Sequence, residues 1–159
     1  MRLIKVLLAI TLVFLVQTMV LDRFHWLGLV DLFLLLNIYF ALNFNQMVCM
    51  GVSFPSGLVQ DAFSRGIIGV NAFSKTIIVF LVSGLSSRLM IKHPLIIMVL
   101  ISAATLLDYM IPYGLYGLFH LPPFPVTPAI LAAATLLNSV AGVLLFQITD
   151  RIRAKREYV

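Results

Sequence analysis

Long apolar runs broken at intervals by short polar clusters set the layout of this chain. The first run, Val6 to Leu21, carries no charge and follows Arg2 and Lys5. That pairing resembles a secretory leader, but no small-x-small cleavage site follows and the run is long for one. We read it as a retained first helix over residues 3–21, with Asp22-Arg23-Phe24-His25-Trp26 as an interfacial connection. The uncharged stretch from Leu32 to Gln60 would be about 43 Å long as one helix, against a bilayer core of ~30 Å. The polar run Asn43-Phe44-Asn45-Gln46 therefore divides it into helices over 30–43 and 47–62. Pro55 is expected to kink the second of these, and Ser53 with Gly57 offers a small-residue face for close packing. A fourth helix is expected over 69–87, ending at Arg88. The turn Lys92-His93-Pro94 opens a fifth over 94–111, with Pro94 suited to a first helical position. Pro112 to Thr127, rich in proline, glycine and aromatics, reads as an interfacial loop. The sixth helix is expected over 128–148, followed by a basic tail. The fold class that follows is an all-α membrane protein, six transmembrane helices in one compact bundle, with residues 1–159 forming a single integral membrane domain.

Composition decides which solvent the helices face. Only 11% of residues are charged and 62% are hydrophobic, whereas a soluble domain carries about 25% charged residues. Such a chain has too little polar surface for water, and lipid is the alternative. The net charge of +5 does not point to nucleic acid, because the basic residues sit at the ends of apolar segments. With six helices, one side receives Arg2, Lys5, Arg88, Lys92, Arg151, Arg153, Lys155 and Arg156, and the other only Arg23 and Arg65. The positive-inside rule then puts both termini in the cytoplasm.

Candidate chemistry concentrates between Gly57 and Lys75. Gln60, Asp61, Arg65, Asn71 and Lys75 interrupt the apolar pattern there, and Gly57, Gly66 and Gly69 punctuate the backbone. Counting ~1.5 Å per residue puts Asp61 and Asp108 about 21 Å above the inner boundary and Lys75 about 9 Å below the outer one. The three charges thus converge in the outer half of the membrane, with Lys75 expected to pair with Asp108 or Asp61. Asn71 lies one turn before Lys75, and Arg65 one turn after Asp61. Two readings stay open: a substrate or proton site, the default for intramembrane ionisable groups, or an ion pair that fixes helices. The apolar inner half disfavours a proton route reaching both faces. No catalytic set, cofactor motif or metal spacing is apparent. His25, His93 and His120 fall in separate loops, Cys49 reads as a small packing residue, and Gly66-x-x-Gly69 has neither the preceding strand nor the following Gly-Lys of a phosphate loop. Asn138 with Gly142 on the sixth helix reads as packing glue.

The stretch Gly57-Leu-Val-Gln-Asp61-Ala-Phe-Ser, continuing through Gly66, Gly69, Asn71 and Lys75, resembles the signature of the MreD family of bacterial rod shape-determining membrane proteins. The short segment Asp31-Leu-Phe-Leu-Leu-Leu-Asn-Ile-Tyr39, the length near 160 and the basic C-terminal tail agree. The resemblance implies a non-enzymatic, multi-pass inner-membrane component of the elongasome, which directs side-wall peptidoglycan synthesis. It implies binding to the single-span protein MreC, and through it links to RodA, a class B penicillin-binding protein and MreB. It also implies a fold similar to the six-helix S-components of vitamin transporters. That similarity supplies the alternative, a small-molecule-binding S-component of an energy-coupling-type transporter. Such proteins dock through an Ala-x-x-x-Ala face on the first helix, and here Ala9 is followed four residues on by Val13.

Overall fold

The computed structural model describes residues 2–19, 27–63, 67–86, 93–120 and 126–157. Among them there are six α-helices and no strand: α1 (Arg2–Met19), α2 (Leu32–Asn43), α3 (Gln46–Phe63), α4 (Val70–Ser86), α5 (Pro94–Leu118) and α6 (Pro128–Glu157). A single 3-10 turn, Leu27–Leu29, precedes α2.

Polar punctuation sets several of the boundaries. Asp31 caps α2, its carboxylate accepting from Leu34 N at 2.9 Å. At the other end Phe44 turns extended while its N–H still bonds Phe40 O, so α2 and α3 meet in a tight hairpin at the polar run that predicted it. His93 caps α5, with Pro94 at its first position. Two ends differ from expectation. α5 continues through Pro112 to Leu118, so the segment read as loop from Pro112 begins as helix. Pro112 is buried inside α5. α6 runs on from the expected end near 148 to Glu157, carrying the basic residues as a helical extension. α3 is likewise continuous through Pro55.

The distribution of polarity is the reverse of a soluble protein's. Gln17, Asn37, Ser53, Ser56, Asp61, Ser74, Lys75, Thr105, Asn138 and Ser139 are buried, while Leu8, Met19, Met47, Val99 and Leu136 are more than 60% exposed. Large contiguous apolar surface marks an apolar solvent. α5 and the Pro128–Asp150 part of α6 are each long and apolar enough to cross a bilayer. α2 is not: twelve residues rise about 18 Å, well short of a ~30 Å core.

That short helix is the centre of the bundle. Phe33, Leu34, Leu35, Ile38 and Ala41 are each 2% exposed or less, and α2 packs on α1, α3, α4, α5 and α6. The tightest neighbours around it are α3 and α4, which approach at Gly57. A Cβ there would land on Ala72 Cα and stand 2.6 Å from Ala72 N and 2.9 Å from Asn71 C. Those are backbone atoms, so only a shift of the whole of α4 could make room.

Gly57→Ala should therefore destabilise the protein by about 1–3 kcal/mol, the range for overpacking. Gly51→Ala, six residues earlier on the same helix with nothing within 4 Å, should be neutral or slightly stabilising. Thermal melting of the two purified variants in detergent, followed by size-exclusion recovery, checks the contrast.

Candidate functional site

Two carboxylates organise the polar interior, and each is attached to the start of a helix. Asp61, near the end of α3 and 1% exposed, reaches the start of α4. Its oxygens accept from Gly69 N at 2.9 Å, Asn71 N at 3.1 Å, Ala72 N at 3.1 Å and Asn71 Nδ2 at 2.9 Å. Gly69 makes this possible with φ +102°, a backbone conformation that favours glycine. The N-terminus of a helix carries about half a positive charge and several unpaired N–H groups. Asp61 answers both at the start of α4.

Asp31 does the same for α2. Besides the bond from Leu34 N, its own N–H donates to Asn138 Oδ1 at 2.8 Å. Leu32 N donates to Gln17 Oε1 at 3.0 Å, and Gln17 Nε2 returns a bond to Val30 O at 3.1 Å. The second oxygen of Asp31 faces inward. Lys75 Nζ meets it at 2.8 Å and Gln60 Nε2 at 3.0 Å. Lys75 also pairs with Asp108 Oδ2 at 3.2 Å, while Ser74 Oγ donates to Asp108 Oδ1 at 2.8 Å. The Lys75 side chain is fully buried, and those of Asp31 and Asp108 are 18% and 10% exposed.

Each helix contributes to this level of the bundle: Gln17 from α1, the Asp31 cap from α2, Gln60 and Asp61 from α3, Ser74 and Lys75 from α4, Asp108 from α5 and Asn138 from α6. Other buried polar contacts tie helices in pairs. Asn37 Nδ2 donates to Ser56 Oγ at 2.9 Å, linking α2 to α3, and Ser102 shares a 2.8 Å bond with Ser139, linking α5 to α6. Cys49 is a packing residue whose thiol donates to Phe40 O.

The charge arrangement differs from the expected one in a definite way. Asp108 pairs with Lys75, but the other partner is Asp31, not Asp61. Asp61 is committed to the start of α4, where four donors already converge on it. Asn71 shares that task and does not serve Lys75. Arg65 and Gly66 lie outside the described residues, and with them the expected pairing of Arg65 to Asp61. Gln60 joins the cluster through Asp31, its Oε1 buried and without a hydrogen-bond partner among the described residues. Asp31, Gln17 and Ser74 were missed as site residues. Asp31 carried a signal: an acidic residue just before an apolar run is a helix cap, and a cap on a short central helix is necessarily interior.

A family model described as rod shape-determining protein MreD matches residues 1–150. The chain belongs to the MreD family. No curated protein and no solved structure matches it. MreD proteins are rod shape-determining membrane proteins, and the apolar exterior found here suits that setting. The match spans all six helices up to the charged end of α6. The stretch from Gly57 to Lys75, which carries the resemblance, takes in the end of α3 and the start of α4, where Asp61 accepts from the first N–H groups of α4.

Removing one member of a buried ion pair costs about 3–5 kcal/mol, more than removing the pair together. Lys75→Met should therefore collapse the folded yield. Adding Asp108→Asn should recover part of it, and adding Asp31→Asn, which keeps a capping side chain, should recover more. Asp61→Asn should combine additively with Lys75→Met. A double-mutant cycle on detergent-resistant yield reads these couplings, for which contacting pairs give about 0.5–3 kcal/mol.

Proposed function

We propose that this protein is a non-catalytic membrane scaffold of the elongasome, holding side-wall peptidoglycan synthesis to the cell's long axis. In this reading all six helices are embedded in the inner membrane and both termini are cytoplasmic. Its direct partner is MreC, with RodA, a class B penicillin-binding protein and MreB reached through that contact. The observation that carries the reading is the MreD match over residues 1–150. The interior supports it: the buried polar groups bind one another and helix ends, which suits a body whose work is to hold a shape.

Orientation follows from the eight-to-two distribution of basic residues between the two sides. A reporter fused after Val159 should be active only in the cytoplasm, and one inserted between α5 and α6 only outside it. A periplasmic C-terminus would overturn the six-span arrangement.

Crosslinking in native membranes should capture an MreC-like single-span protein, and depletion in a rod-shaped host should give round cells with unchanged nutrient uptake. Co-purification with an ATPase module and a retained small molecule would instead mark a transporter S-component. Rods that persist after complete depletion, in a strain with no second copy, would remove the shape-determining role.

A further inference from the structure

α6 is longer than the hydrocarbon it can cross. Its 30 residues rise about 45 Å at ~1.5 Å each, against a core of ~30 Å. The apolar span runs from Pro128 to Asp150, so the excess falls at the C-terminal end. There the helix continues to Glu157 and takes in Arg151, Arg153, Lys155 and Arg156. We propose that Arg151 and Lys155 mark a binding site for the headgroup phosphate of an anionic phospholipid, whose acyl chain lies along Val140, Leu144 and Ile148.

Helical register selects these two basic residues. Val140, Leu144 and Ile148 are 55%, 54% and 55% exposed and form one outward stripe. At ~100° per residue, Arg151 and Lys155 fall within about 20° of the mean direction of that stripe, about one and two turns beyond Ile148. Arg153 falls on the opposite side, in register with Gly142 and Phe146, which face the bundle. A lipid chain against the stripe brings its headgroup to Arg151 and Lys155.

Depth agrees. The headgroup layer is about 5–8 Å thick on each side of the core. Arg151 and Lys155 stand one and five residues past Asp150, or about 2 and 8 Å at ~1.5 Å each. Both positions lie at the level of the phosphates, and a soluble acidic protein would meet the helix farther out.

Charge decides the class of lipid. Arg153 stands three residues after Asp150 and four before Glu157, the spacings at which opposite charges on a helix meet. Arg151 and Lys155 stand four apart with like charge, a spacing that repels on a bare helix, and neither acidic residue shares their side of the register. An anion between them relieves the repulsion. A headgroup of net negative charge supplies one, whereas a zwitterionic headgroup brings its own cation.

The test uses the full-length protein in symmetric vesicles of equal parts phosphatidylcholine and phosphatidylglycerol, where orientation does not enter. A photocrosslinking side chain replaces Ile148, and captured lipids are identified by mass spectrometry. The same side chain at Leu136, twelve residues back on the helix and 62% exposed, is the reference. Phosphatidylglycerol should be captured severalfold in excess at position 148 and near parity at position 136. Arg151→Gln with Lys155→Gln should bring position 148 to parity, whereas Arg151→Lys with Lys155→Arg should keep the excess. Arg153→Gln with Arg156→Gln removes the same charge from other sides of the helix and should leave most of it. Parity at position 148 in the otherwise unaltered protein, or equal losses from the two glutamine pairs, would overturn the proposal. So would a crosslinker at position 148 that, in native membranes, captures a protein and no lipid.

Discussion

A buried helix start is the constraint on which the rest of this structure depends. α2 is too short to reach from one boundary of the hydrocarbon to the other, so its first N–H groups open inside the protein. Hydrocarbon offers them no partner, and each unsatisfied group costs several kcal/mol. Asp31, Gln17 and Asn138 supply the acceptors or the contacts that hold them. Those three side chains come from the α2 entry, α1 and α6, so satisfying one helix end draws the two outer helices of the chain to the central one. α4 repeats the solution with Asp61 from α3. The bundle is thus specified largely by where its helices start.

Charge balance explains why one lysine suffices for two aspartates. A helix N-terminus contributes about half a positive charge, and Asp31 sits on one. Lys75 therefore shares its charge between a carboxylate already partly compensated and Asp108, which also receives Ser74. In water such a cluster would be replaceable by packed apolar residues at little loss. Between lipid-solvated helices the hydrophobic effect gives no preference for one neighbour over another, and polar contacts and close packing decide. Gly57 under Ala72 and the Lys75 triad are the two forms of that choice.

Much of this was legible in the residues. Periodic polar interruptions marked the helices, and counting ~1.5 Å per residue brought Lys75 and Asp108 to the same depth before any contact was known. The α2–α3 hairpin followed from the polar run after Leu42. What failed was the assignment of partners. Depth alone cannot separate Asp61 from Asp31, because both lie near the level of Lys75; the difference is that Asp61 faces the N–H groups after Gly69. The expected helix over 30–43 takes in Asp31, whereas the structure starts α2 at Leu32 and leaves Asp31 as its cap. The extension of α5 to Leu118 was hidden by Pro112, Gly114 and Gly117, residues that usually break helices in water but are tolerated where neighbouring helices support the backbone.

The same physics separates the inside of this MreD protein from its outside. Most of the buried polar groups are engaged with one another or with helix ends, and those contacts tie the helices together. The exterior is left almost uniformly apolar, with Leu8, Leu12 and Met19 on α1 and Met47, Val48 and Phe54 on α3 half exposed or more. A surface of that kind has no strong preference among lipid and other apolar helices, and gains specificity only through shape. Shape is what a rigid interior preserves: the faces of α1 and α3 keep fixed angles to each other because Gln17, Asp31 and Gln60 hold their helices at one level. Breaking the polar level would therefore deform the apolar outer faces of the helices without touching a residue on them.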